Sequence, residues 1–170
     1  TEDARRERSG KSPRVRGSSS GCAASVAERR VGDGARVLIR GRHAAEVEAA
    51  CARLGAAAAP AVGDLAEPAT AQALVDAAVK AFGRLDGLVN NAGIYPRGVI
   101  GTTTAAFFDH VFTVNTRAPL LCAEAAIAAF RLQKSGGAIV TIGSITALGM
   151  MSSEEPPECR SRKASPIGRI

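Results

Sequence analysis

The sequence predicts an α/β fold built on a doubly wound parallel sheet, and three features carry that expectation. Short apolar runs recur along the chain, among them Val37-Leu38-Ile39, Leu88-Val89 and Ala138-Ile139-Val140. Segments with helical apolar spacing separate them, with short connections, which favours parallel strands covered by helices on both faces. Small polar residues sit where the strands should end: Asp64, Asn90 to Gly93, and Gly143-Ser144. Ligands of such sheets bind outside the carboxyl ends of the strands.

Each element follows from local composition. Residues 23–31 have helical potential, and Gly32-Asp33-Gly34 breaks it. Arg36-Val37-Leu38-Ile39 reads as a buried strand. Ala44 to Leu54 reads as a helix with Val47, Cys51 and Leu54 on one face. Ala59-Pro60-Ala61-Val62 is a weak strand. Pro68 suits a first helical turn, and Leu74, Val75, Ala78, Val79 and Phe82 then form one apolar stripe. Residues 85–89 are a strand, a long helix is expected from about Thr104 to Leu132, and residues 137–142 form a further buried strand. Beyond Gly149 neither period continues, so residues 150–170 read as irregular. The expected organisation is a disordered basic tail over 1–16, a domain over 17–149 and that final segment.

Charge and composition narrow the function classes. The chain has 170 residues and a formal charge of +6, of which +4 falls in residues 1–30, where 8 basic residues face 4 acidic ones. That segment could meet an acidic partner, or could simply be a solvated tail. With no Trp and 4% aromatic residues, a stacking surface for single-stranded nucleic acid is not expected. No apolar run approaches the ~20 residues that span a bilayer. Cys22, Cys51, Cys122 and Cys159 form no Cys-x-x-Cys, and only His43 and His110 could join them, so no metal cluster is legible. Free thiols and no visible secretory leader point to the cytoplasm.

Five motifs in order carry a family resemblance. Leu88-Val89-Asn90-Asn91-Ala92-Gly93-Ile94 follows a strand, Ile139-Val140-Thr141-Ile142-Gly143-Ser144 ends another, and Val114-Asn115-Thr116 lies on the long helix between them. Gly34-Ala35-Arg36-Val37 and Gly63-Asp64-Leu65 are weaker matches. Residues 34–149 thus resemble the short-chain dehydrogenase/reductase family, an extended Rossmann fold, with the pattern ending after the fifth strand. The resemblance implies an NAD(P)-dependent oxidoreductase that reduces carbonyls or oxidises alcohols, often assembled as a homo-oligomer through its long helices. It implies cofactor contacts from Asn91, Ala92 and Gly93, whose small side chains let the backbone approach the adenosine side. Asn90 would instead tie strands together. Asp64 would accept from the adenine amino group with Leu65 beside the ring; a helix cap is the other reading of Asp64. Ser144 would polarise the substrate oxygen. Asn115 would bend its helix and hold a relay water, or else is a solvated asparagine.

The cofactor expectation rests on Gly41-Arg42. An acid after the second strand binds the NAD ribose, whereas an arginine there accommodates the NADP phosphate. Glycine holds the acidic position and Arg42 follows, so NADP is expected over NAD, unless Arg42 merely starts a helix at the surface. Upstream, Gly17, Ser19, Ser20 and Gly21 are either a phosphate loop or a flexible linker.

Two departures from the family stand out. On the family frame Arg16 replaces a threonine, Ala23 replaces a glycine, and the first strand would be Lys11-Ser12-Pro13-Arg14-Val15. A proline and two cations do not suit the centre of a buried sheet. The expected Tyr-x-x-x-Lys pair falls on Pro157 and Ser161, while Tyr95 fits no catalytic spacing and Lys163 is displaced by two. Impaired catalysis is therefore expected, and a non-catalytic module that binds a nucleotide or a partner subunit is the alternative.

Overall fold

The computed structural model describes residues 14–17, 22–96, 98–99, 101, 103–143 and 158–159, with the backbone alone for 14–17, 22, 98–99 and 158–159. In chain order the elements are β1 (Arg14–Gly17), α1 (Cys22–Gly32), β2 (Val37–Gly41), α2 (Ala44–Leu54), β3 (Ala58–Val62), α3 (Pro68–Phe82), β4 (Gly87–Asn90), β5 (Gly98–Val99), α4 (Ala105–Phe112), α5 (Ala118–Leu132), β6 (Ala138–Thr141) and β7 (Glu158–Cys159). A π-helical turn, Thr113–Arg117, joins α4 to α5.

Five strands form a parallel sheet in the order β3-β2-β1-β4-β6. The chain therefore winds outward from β1 through β3, then crosses back to β4 on the other side. That reversal at β1 and β4 is the switch point at which such sheets bind ligands.

Alternation along the strands divides the core. Val37 and Ile39 face α1 and α2, where Ala27, Val47 and Ala50 complete one buried cluster. Leu38 and Leu88 face the other side, against Leu74, Val75 and Ala78 of α3 and Cys122, Ala126 and Phe130 of α5. Helices thus cover both faces, as the apolar spacing requires. At the foot of α5, Gln133 clamps the chain entering β4: its Oε1 accepts from the Leu85 N–H at 2.7 Å and its Nε2 donates to the Leu85 carbonyl at 2.8 Å.

Four expectations change, one of them the buried strand over residues 137–142: β6 is an outer strand of the five and its Ile139 and Val140 are exposed. The central strand is Arg14–Gly17, not 11–15, and it pairs with both β2 and β4. It begins one residue after Pro13 in the sequence. Residues 14–16 consequently belong to the sheet rather than to the basic tail. In the final segment, Glu158–Cys159 is not irregular but pairs antiparallel with Gly98–Val99. The long helix, lastly, is interrupted by the π turn at Asn115.

Candidate functional site

The carboxyl ends of β2, β3 and β4 open into a cleft of about 270 Å³. It is lined by Arg40 and Arg42 from the end of β2 and the turn after it, Asp64 and Leu65 after β3, Ala92, Gly93 and Ile94 after β4, and Val114 from the π turn. His43, Glu46 and His110 complete the wall. Half of the cofactor residues read from the sequence therefore converge on one place: Arg42, Asp64, Leu65, Ala92 and Gly93. Asn91 lies in the same loop and lines a small void of about 20 Å³ directly beneath, between Leu74, Leu88 and Cys122.

The Asp64 carboxylate is partly committed. Its Oδ1 accepts from the Ala66 N–H at 2.9 Å, a local turn that orients the side chain and leaves Oδ2 for another donor. Arg42 is exposed and has neither a hydrogen-bond nor an ion-pair partner among the described residues. A site with a free cation beside small residues, an apolar wall from Ile94 and Val114, and an acceptor at Asp64 suits a nucleoside with an anionic substituent.

Asn90 and Asn115 hold the framework of this cleft. Asn90 is 9% exposed, and its Nδ2 donates to the Pro119 carbonyl at 3.1 Å and to Thr141 Oγ1 at 3.5 Å. It ties β4 to α5 and to β6, as its chemistry suggested. Asn115 grips the loop after β4 with both ends of its amide: Oδ1 accepts from the Ile94 N–H and Nδ2 donates to the Ile94 carbonyl, each at 2.8 Å. The asparagine is thus not merely solvated: one acceptor site and one donor of its amide hold that loop. Pro119, four residues further on, has no N–H to give back to the Asn115 carbonyl in the α-helical pattern. The helix widens at this point into the π turn Thr113–Arg117.

Arg40 was not singled out from the sequence. It lies on the Leu38 face of β2, is 6% exposed, and donates from Nε and Nη2 to the Gly63 carbonyl at 2.8 and 2.5 Å. The period of two that buries Leu38 also buries Arg40, and that was the signal available. Burial depresses the Arg40 pKa, opposed by the nearby Asp64 carboxylate. Burial likewise pushes the Cys122 thiol up to about 11, against the pull of Arg40.

Ser144, Ser19, Ser20 and Gly21 lie outside the described residues. Gly17 is the last residue of β1, at the switch point, and α1 begins at Cys22. Among the described residues no group of three His, Cys, Asp or Glu could hold a metal ion, and no helix is long and apolar enough to cross a membrane.

Residues 14–155 match the short chain dehydrogenase family. An L-rhamnose 1-dehydrogenase (NAD(P)(+)) from a Sphingomonas species is 35% identical over 147 residues, covering 82% of this chain and 56% of its own length. An uncharacterized oxidoreductase of Methylorubrum extorquens is 37% identical over 141 residues, covering 80% of this chain and 55% of its own. Among solved structures, the 3-ketoacyl-(acyl-carrier-protein) reductase of Brucella melitensis, complexed with NADH, superimposes with a TM-score of 0.75 at 31% identity, over 81% of this chain and 59% of that one. The chain belongs to the short-chain dehydrogenase/reductase family and has its Rossmann fold. It spans little more than half the length of the curated relatives it matches.

Proposed function

We propose that the chain is the dinucleotide-binding part of an NAD(P)-dependent oxidoreductase acting on a small carbonyl or alcohol, with NADP favoured over NAD. The single observation that carries this is the cleft: Arg42, Asp64, Leu65, Ala92 and Gly93 line one space at the carboxyl ends of the strands. Arg42 would meet the 2′-phosphate, Asp64 Oδ2 the adenine amino group, and Ala92 and Gly93 the adenosine face. Gly41 leaves room where an acid would repel that phosphate. Gly17, Ser19, Ser20 and Gly21 would contact the pyrophosphate, because β1 ends at Gly17 and α1 starts at Cys22. A bound nicotinamide supplies hydride transfer.

The remaining roles belong to residues of this chain. Ser144 would donate to the substrate oxygen. The Asn115 side chain keeps Ile94 in place, and its backbone carbonyl would accept a water. No residue at the family spacing supplies the proton, because Pro157 and Ser161 stand where tyrosine and lysine are expected. General acid catalysis contributes about a hundredfold to ten-thousandfold, so turnover by this chain is impaired. The exposed, stacked rings of Phe108 and Phe112, 4.1 Å apart, and exposed Leu120 leave an apolar stripe along α4 and α5 that suits a second copy of the chain. Cytoplasmic placement remains part of the proposal.

The test follows NADPH oxidation at 340 nm wavelength with a panel of ketones and aldehydes. Turnover no faster than a Ser144→Ala control is expected. Clear turnover above it would show that another group, Lys163 first, supplies the proton.

A further inference from the structure

Arg117 closes the π turn and is not among the residues that line the cleft, yet it holds one of the cleft's walls. Its exposed side chain donates from Nη2 to the Ala66 carbonyl at 2.8 Å, 51 residues back in the chain. That carbonyl shares a peptide unit with the Glu67 N–H, which donates to the Asp64 carbonyl at 3.1 Å. The Ala66 N–H donates to Asp64 Oδ1 at 2.9 Å. Both backbone groups of Ala66 are thereby tied, one to Arg117 and the other to a carboxylate that lines the cleft. A peptide bonded at its carbonyl and at its N–H is polarised at both, so the Arg117 bond strengthens the turn that aims Asp64. Two residues earlier, Asn115 holds the Ile94 N–H and carbonyl on the wall built after β4. One π turn therefore reaches both loops between which the cleft opens.

We propose that Arg117 is a positioning residue for cofactor binding: by fixing the loop after β3 to the π turn, it sets how far that loop stands from the loop after β4, without touching the ligand. This rests on the dinucleotide reading above and adds to it a residue that lies away from the ligand. Because the Arg117 side chain is exposed, removing its donor returns the Ala66 carbonyl to water rather than stranding it, so the fold loses little. The loop after β3, however, is then free to shift relative to Ile94. A ligand entering a cleft whose walls are no longer held must supply the ordering that the parent has already made.

Calorimetric titrations of the full chain with NAD and NADP, paired with urea melts of the ligand-free proteins, test this on the parent, Arg117→Met and Arg117→Lys. The methionine variant should melt like the parent but bind both dinucleotides about threefold to tenfold more weakly, the net contribution of one hydrogen bond. The lysine variant, which keeps a donor on a flexible stem, should recover part of that loss. Unchanged affinity in the methionine variant overturns the proposal, as does a lysine variant that binds no better than the methionine one. Weakening of NADP alone would make Arg117 a phosphate contact and overturns it. A lowered urea midpoint, or no cooperative melt, would make Arg117 a prop of the whole fold and overturns it too. A parent that binds neither dinucleotide removes the cofactor reading itself, and this proposal with it.

Discussion

Asn115 and Ile94 are joined twice across two elements, with the Ile94 N–H bonded to Asn115 Oδ1 and the Ile94 carbonyl bonded to Asn115 Nδ2, both at 2.8 Å. One amide thereby fixes the loop after β4 to the π turn between α4 and α5. Reversing the amide would set like groups against each other at both contacts, so its orientation is determined by the network.

Asn115→Ala should cost about 1–3 kcal/mol, since it strands a half-buried N–H and carbonyl of Ile94. Asn115→Asp should be no better, because the carboxylate keeps one bond and faces the Ile94 carbonyl with the other oxygen. Urea melts of the three proteins check this. Parent-like midpoints in both variants would mean that the loop is held by something else.

Gly137 precedes β6 and packs under the buried ring of Phe130: a Cβ there would lie 2.2 Å from Phe130 Cζ. Gly137→Ala should therefore destabilise by about 1–3 kcal/mol through overpacking. Combining it with Phe130→Leu should cost less than the two separate losses together, because the smaller side chain relieves the clash. Strictly additive losses in thermal melts would refute the contact.

Cys122 should make the fold sensitive to alkali. Its thiol is pushed from 9.0 up to about 11 by burial, so the folded state holds a proton that the unfolded chain releases first. A raised folded pKa gives stability that is intact below the unfolded value and lost as pH rises through the folded one. Stability should fall by roughly 2 kcal/mol between about pH 9 and 11. Cys51, also raised by burial, adds a contribution of the same sign. Cys122→Ala should flatten most of the decline in urea melts run across that range. A variant with the parent's slope would place the titration elsewhere.

Much of this architecture was legible where local chemistry and tertiary packing agree. The helix expected over Ala44 to Leu54 has those bounds, and Pro68 does open the helix that ends at Phe82. Asp64, Leu65, Ala92 and Gly93 could be placed at strand ends from the sequence, and the structure brings them to one cleft. Other features had no local signal. The central strand carries two arginines in four residues, and only pairing with β2 and β4 on both sides makes it a strand. The π turn holds the loop after β4 through the pairing of Asn115 with Ile94, 21 residues before it, which no periodicity within the helix reports. Arg40 breaks the apolar pattern of β2: the period of two puts it on the Leu38 face, but the Gly63 carbonyl that receives it lies 23 residues away.

On the proposed reading, the cleft that Arg42 lines holds a dinucleotide and favours NADP. Calorimetric dissociation constants for NADP and NAD, measured on the parent and on Arg42→Ala, test it most directly. A charge-assisted bond to the 2′-phosphate is worth about 1.5–3 kcal/mol, so the account predicts NADP binding roughly tenfold to a hundredfold tighter than NAD, with the gap closed by Arg42→Ala. Equal affinities in the parent, or a preference that survives loss of Arg42, would contradict it.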